Sequence, residues 1–144
     1  MVVNPNGMVL VSDGGNPRII TGRAREVISG GQFVFASGTE DVVNSGLASL
    51  INTDIQFATA GSGITCNGVA LQTVGSNEYV AILRQGDVIV AAGGILSGGQ
   101  PVQCNGGDAV VAAVGSQAHG WAGICGRTIT GATSGAYSLV GLNF

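Results

Sequence analysis

Few side chains in this sequence could do chemistry, and their spacing argues against a catalytic centre. The single histidine, His119, lies in Gly115-Ser116-Gln117-Ala118-His119-Gly120-Trp121, which reads as a loop. Nucleophilic catalysis would need it beside a serine and a carboxylate, and no Gly-x-Ser-x-Gly elbow presents that serine. One histidine also leaves the multi-histidine metal sites without ligands. Cys66, Cys104 and Cys125 form no Cys-x-x-Cys, so a zinc site is not expected. They read as buried thiols in strands, with one internal disulfide as the alternative. A carboxylate pair for glycoside hydrolysis would have to come from Asp13, Glu26, Glu40, Asp41, Asp54, Glu78, Asp87 and Asp108. Most of these sit at turns or strand ends, where Asp serves backbone geometry. Leu96-Ser97-Gly98-Gly99-Gln100 spells the signature of ABC-transporter ATPases. That signature works against a P-loop lysine, and all five cations here are arginines: Arg18, Arg23, Arg25, Arg84 and Arg127. Nucleotide binding is therefore not expected. No catalytic residue, metal ligand or cofactor site is assigned.

The elements that would position these residues are strands. Short runs rich in Val, Ile, Ala and Phe recur, each closed by Gly, Asn, Ser or Asp. They predict strands at Met8–Ser12, Gln32–Ala36, Gly68–Thr73, Tyr79–Leu83, Asp87–Ala91, Pro101–Cys104, Ala109–Val114, Ala122–Ile129 and Tyr137–Leu142. Gly75-Ser76-Asn77 and Asn105-Gly106-Gly107-Asp108, among others, carry hairpin-turn chemistry. Strands of this number and spacing predict an all-β barrel or sandwich. One short helix is expected around Val42–Ile51. Residues 1–25 read as an N-terminal arm or edge segment, with an ordinary first hairpin as the alternative, and 26–144 as a single β domain. Ile28-Ser29-Gly30-Gly31-Gln32-Phe33-Val34 is echoed by Leu96-Ser97-Gly98-Gly99-Gln100-Pro101-Val102, with a looser copy at Thr133–Val140. The echo reads as one turn used repeatedly in preference to a duplication.

Composition narrows the partner. Charged residues make up 9% of the chain, against about 25% in an average soluble domain. A small monomer needs a charged, mixed surface to stay apart from its neighbours, so cover by other subunits is expected. No basic stripe interleaved with aromatics is present, so nucleic acid is not an expected partner. No apolar run approaches a membrane span, and the start carries no secretory signal pattern. Phe33 and Phe35 share one strand face and read as core. Trp121 in its Gly-rich loop and the terminal Phe144 read as candidate partner contacts. So do Val2, Val3, Asn4 and Pro5 of the arm, which could add a strand to a partner's sheet edge.

Four runs carry a family resemblance. Gly22-Arg23-Ala24-Arg25-Glu26-Val27-Ile28-Ser29-Gly30-Gly31-Gln32-Phe33-Val34 is followed by Asn67-Gly68-Val69-Ala70-Leu71. Gly94-Ile95-Leu96-Ser97-Gly98-Gly99-Gln100-Pro101-Val102 precedes Gly126-Arg127-Thr128-Ile129-Thr130. Together they resemble the small head-decoration proteins of tailed phages and related archaeal viruses, over roughly residues 20 to 142. The resemblance implies a β-barrel or β-tulip subunit that forms a homotrimer on the outside of an icosahedral capsid. There it would bridge major capsid proteins and stabilise the shell, after assembly in the host cytoplasm. Longer stretches around Glu40–Ser62 and Ser116–Trp121 depart from the family pattern. Two other roles compete: a subunit of another repetitive assembly (tail, fibre or extracellular filament), or a glycan-binding module with Trp121 as its platform.

Overall fold

The structure, a computed structural model, describes residues 11–12, 17–36, 56–59, 66–111 and 124–143. Ten strands are joined in one sheet. They are β1 (Val11–Ser12), β2 (Arg18–Ala24), β3 (Phe33–Ala36), β4 (Gln56–Thr59), β5 (Gly68–Ala70), β6 (Tyr79–Ala91), β7 (Pro101–Asn105), β8 (Asp108–Val111), β9 (Gly126–Thr128) and β10 (Tyr137–Asn143). No helix occurs among the described residues, and the all-β expectation holds. Val42–Ile51, where a helix is expected, lies outside them.

Five strands close on themselves. The order β2-β4-β3-β5-β6 is completed by β2 pairing antiparallel with β6, from Ile19 opposite Leu83 to Arg23 opposite Tyr79. The result is a small barrel without free edges over that stretch. Its lumen is filled by Ala24, Ile28, Val34, Phe57, Ala70, Val74, Val80 and Ile82, all buried. Side chains alternate across a strand, so the neighbours of these residues face outward. On β3, β5 and β6 the outward residues Phe33, Val69 and Leu83 are themselves fully buried, in a second and larger core. Burial on both faces explains why these strands are continuous apolar runs, Phe33-Val34-Phe35 and Val80-Ala81-Ile82-Leu83, instead of alternating ones.

The second core belongs to a second unit, and β6 is common to both. Sequence reading predicts two strands here, Tyr79–Leu83 and Asp87–Ala91, split by Arg84-Gln85-Gly86. The chain instead runs through as one strand of 13 residues. A register shift opposite Arg18/Ile19 and a left-handed Gly86 (φ 126°) absorb the irregularity. Beyond it, β6 pairs with β10, and the sheet continues β10-β9-β7-β8. It curls until Ala109 of β8 forms a parallel bridge with Ala92, just past the end of β6.

The two units repeat one pairing scheme residue by residue. Gly22 opposite Val80 in the barrel corresponds to Val90 opposite Ser138 in the second unit. Val34 opposite Gly68 corresponds to Val102 opposite Gly126, and Val69 opposite Leu83 to Arg127 opposite Gly141. Even the parallel contact is repeated: Ala24 beside Phe57, and Ala92 beside Ala109. The expectation that the echo is only a reused turn is therefore corrected. The turn marks a duplicated five-strand unit whose copies share a strand. Sequence similarity survives mainly at the turn because that is where backbone conformation restricts residue choice.

The strands at Pro101–Asn105 and Tyr137–Asn143 run one residue past their expected ends, that at Gly68–Ala70 stops short of the expected Thr73, and two observed strands are new. Arg18–Ala24, placed by sequence within the arm or edge segment, is the barrel strand β2 between β4 and β6. Gln56–Thr59 forms β4. Both lack a clean apolar alternation, since β2 carries Arg18, Thr21 and Arg23 on a largely exposed face.

Candidate interaction surface

The glutamines of the tempting ATPase-like motif close turns. Ile28 bridges Val74, and Leu96 bridges Ala132. The third residue beyond each of these four positions takes a positive φ: Gly31 (84°), Asn77 (67°), Gly99 (80°) and Gly135 (82°). Glycine takes this conformation without cost and asparagine tolerates it. Each N–H then donates across the unit, Gly31 to Ala70 O, Asn77 to Ala24 O, Gly99 to Thr128 O and Gly135 to Ala92 O, at 2.7–2.8 Å. The side chain of the next residue accepts from the start of the turn. Ser97 N–H donates to Gln100 Oε1 at 2.9 Å, Ser29 N–H to Gln32 Oε1 at 3.4 Å, and Gly75 N–H to Glu78 Oε2 at 2.7 Å. The Ser-Gly-Gly-Gln runs are thus committed to backbone closure at both sites.

Beside these turns lie four of the exposed large apolar side chains, Val27, Tyr79, Ile95 and Tyr137. Among the described residues Ile19 and Ile129 complete the set. Val27 and Ile95 immediately precede the bridging Ile28 and Leu96. Tyr79 and Tyr137 head the strands that leave the second turn of each pair. Tyr79 is held by Arg23, whose Nη2 donates to the Tyr79 hydroxyl at 3.1 Å with the guanidinium carbon 5.2 Å from the ring centroid. The position matching Arg23 is Ala91, so Tyr137 has no such brace. Sequence reading missed these four residues. The available signal was the echo itself, which begins one residue earlier, at Val27-Ile28 and Ile95-Leu96.

The cysteines come together but not as a reactive centre. Cys66 lies two residues before β5, Cys125 directly precedes β9, Cys104 is on β7, and all three are buried in the larger core with no disulfide formed. The contact with Cys125, together with burial, raises the Cys66 thiol well above its ordinary range. Burial pushes Cys104 up to about 12. The contact between Cys66 and Cys125 in turn lowers Cys125, while Cys66 and Cys104, held protonated in an apolar interior, behave as small hydrophobes. Among the described residues no group of three or more His, Cys, Asp or Glu side chains is placed to hold a metal. A shallow concavity is lined by Ile124, Cys125, Gly126, Arg127 and Gly141. In it the Arg127 guanidinium is committed to Gly99 O at 2.8 Å.

Val2, Val3, Asn4, Pro5, Trp121, Phe144 and His119 lie outside the described residues. The carboxylates Glu26 and Glu78 serve backbone N–H groups, of Thr59 and Gly75 respectively, each at 2.7–2.8 Å.

The fold has a counterpart in a solved phage protein. The chain is similar to the crystal structure of the head fiber gp8.5 N base of bacteriophage phi29, with a TM-score of 0.62. The match covers 88% of this chain and 94% of that one, at 15% sequence identity. No protein-family model matches the chain, and no curated protein matches it. At that identity the likeness is one of fold.

Proposed function

We propose that this chain is a structural protein of a tailed-phage-like virion, a non-catalytic subunit that decorates the outer surface of the capsid. The observation that carries the reading is the shared fold, which spans nearly the whole of a phage head-fibre base and most of this chain. The sparse charge and the six exposed large apolar residues support a surface meant for protein neighbours. In this reading the subunit, as a homotrimer, bridges major capsid proteins and uses neither cofactor nor nucleic acid. A ligand that binds only the expanded shell stabilises it by mass action.

A fibre base anchored on the head is the second reading, favoured by the name of the structural neighbour. The internal geometry argues against an open-ended filament. Phe33, Val69 and Leu83, the barrel face that packs against the second unit, correspond to Pro101, Arg127 and Gly141 on the second unit's outer face. Arg127 is exposed there. The contact that joins the units within the chain is therefore not offered again for head-to-tail growth. Co-sedimentation with expanded, undecorated capsids, beside mass determination of the protein in solution, tests the proposal. Saturable binding by a discrete trimer is the expected result; filaments with no capsid binding would overturn it.

A further inference from the structure

We infer that the end of the barrel at Arg18 and Arg84 is a binding site for a carboxylate carried on an acidic segment of a protein neighbour. The two residues meet at the bulge in β6. Ile19 lies opposite Leu83, but Arg18 lies opposite Gln85, so Arg84 is the extra residue of the bulged strand. The bulge sets Arg84 and Gln85 together against Arg18. Arg84 follows the lumen residues Val80 and Ile82 in the alternation of the strand. It is half-buried, and its Nε is enclosed without a hydrogen-bond partner. Arg18 is exposed beside it. Two guanidinium groups side by side repel, and an enclosed donor left unpaired is destabilising. An anion held between them relieves both.

The second unit is an internal control. There Leu142, the counterpart of Arg84, stands directly opposite Gly86, the counterpart of Arg18, and the register runs on to Asn143 opposite Gln85 without a shift. Leu142 is buried in the larger core. The shared scaffold therefore closes this end with leucine and glycine, and needs neither the bulge nor the charge. Internal pairing does not account for the arginines either. Arg23 and Arg127 donate to Tyr79 and Gly99 within the chain. Glu26 and Glu78, by contrast with a partner for Arg84, are bonded to the backbone of Thr59 and Gly75. Planar guanidinium forks match a carboxylate at two points. Two cations are too few to follow a nucleic-acid backbone. In a chain of net charge −3, such a pair is the local exception that admits an acidic neighbour.

The test uses the full chain at low ionic strength, with calorimetry and a capped polyglutamate peptide as the probe. Citrate and inorganic phosphate serve as free-anion comparisons. Arg84→Leu introduces the residue type that the second unit carries at this position, and Arg18→Gln changes an exposed side chain, so both variants keep the fold; thermal melting verifies it. The peptide is expected to bind the unaltered chain, to bind each variant about tenfold more weakly, and to be released by added salt. It should also raise the melting temperature of the unaltered chain and not that of Arg84→Leu. No binding to the unaltered chain, or equal binding to the variants, overturns the site. Citrate or phosphate binding more tightly than the peptide overturns the assignment to a protein segment. No shell is needed, so the capsid role stands or falls separately.

Discussion

The barrel and the second unit follow one backbone plan and fill it differently. In the barrel, Phe57, Val80 and Ala70 occupy positions where the second unit has Ala109, Ser138 and Thr128. The barrel fills its lumen from its own strands. The second unit is filled in part from outside, by Phe33, Val69 and Leu83 on the back of the barrel. A duplicated scaffold thus tolerates small and even polar interior residues once its neighbour supplies the missing volume. The reverse does not hold among the described residues, where the barrel's buried cluster draws no side chain from the second unit.

The sharpest way to break the comparison is at the matched large and small positions. Phe57→Ala should destabilise the protein by about 3–5 kcal/mol by leaving a cavity, measured by urea unfolding. Ala109→Gly should cost far less, and comparable losses would mean that both lumens are filled alike.

Gly68 and Gly126 test the duplication itself. A Cβ on Gly68 would lie 2.6 Å from Leu83 O, and one on Gly126 2.5 Å from Gly141 O, the same carbonyl in each unit. Both Ala variants are expected to cost about 2–4 kcal/mol, through displacement of backbone. A large effect at one and none at the other would show that β5 and β9 are not equivalent in solution.

The polar substitutions sharpen the contrast. In the barrel, Gln32 N–H closes its turn on Ser29 O at 3.3 Å. In the second unit the buried Thr128 hydroxyl stands between the corresponding groups, accepting from Gln100 N–H at 2.9 Å and donating to Ser97 O at 2.5 Å. Thr128→Val removes both bonds and should cost about 1–3 kcal/mol. Ala70→Thr places a hydroxyl in the barrel lumen and should destabilise by a similar amount.

The smallest effect is a pH dependence confined to the second unit's core. Cys104 is raised in the folded state to about 12 from an ordinary 9.0. The folded form therefore holds its proton more tightly, and the associated stability is complete below pH 9 and lost as pH rises toward 12. Melting temperature should fall across that window, and Cys104→Ala should flatten the fall. An unchanged slope would place the alkaline loss elsewhere, at Cys66 first.

Much of this was legible in the sequence. Strands β3, β5, β7 and β10 stand where apolar runs end in Gly, Asn or Asp, because side-chain period and turn conformation are local properties. The turn role of Ser29–Gln32 and Ser97–Gln100 was equally readable. Three features were not. The continuity of β6 across Arg84-Gln85-Gly86 depends on strands on either side that hold an irregular stretch extended. The strand identity of Arg18–Ala24 depends on β6 and β4, since its own sequence is half polar. The equivalence of Val27 with Ile95, and of Tyr79 with Tyr137, depends on pairing registers between residues far apart in the chain. Sequence by itself determined which segments extend and where they turn, since those follow from each residue's own φ preference and hydrophobicity. Tertiary structure alone decided that the segments close into two copies of one unit, because closure is set by long-range register, which no local stretch of residues encodes.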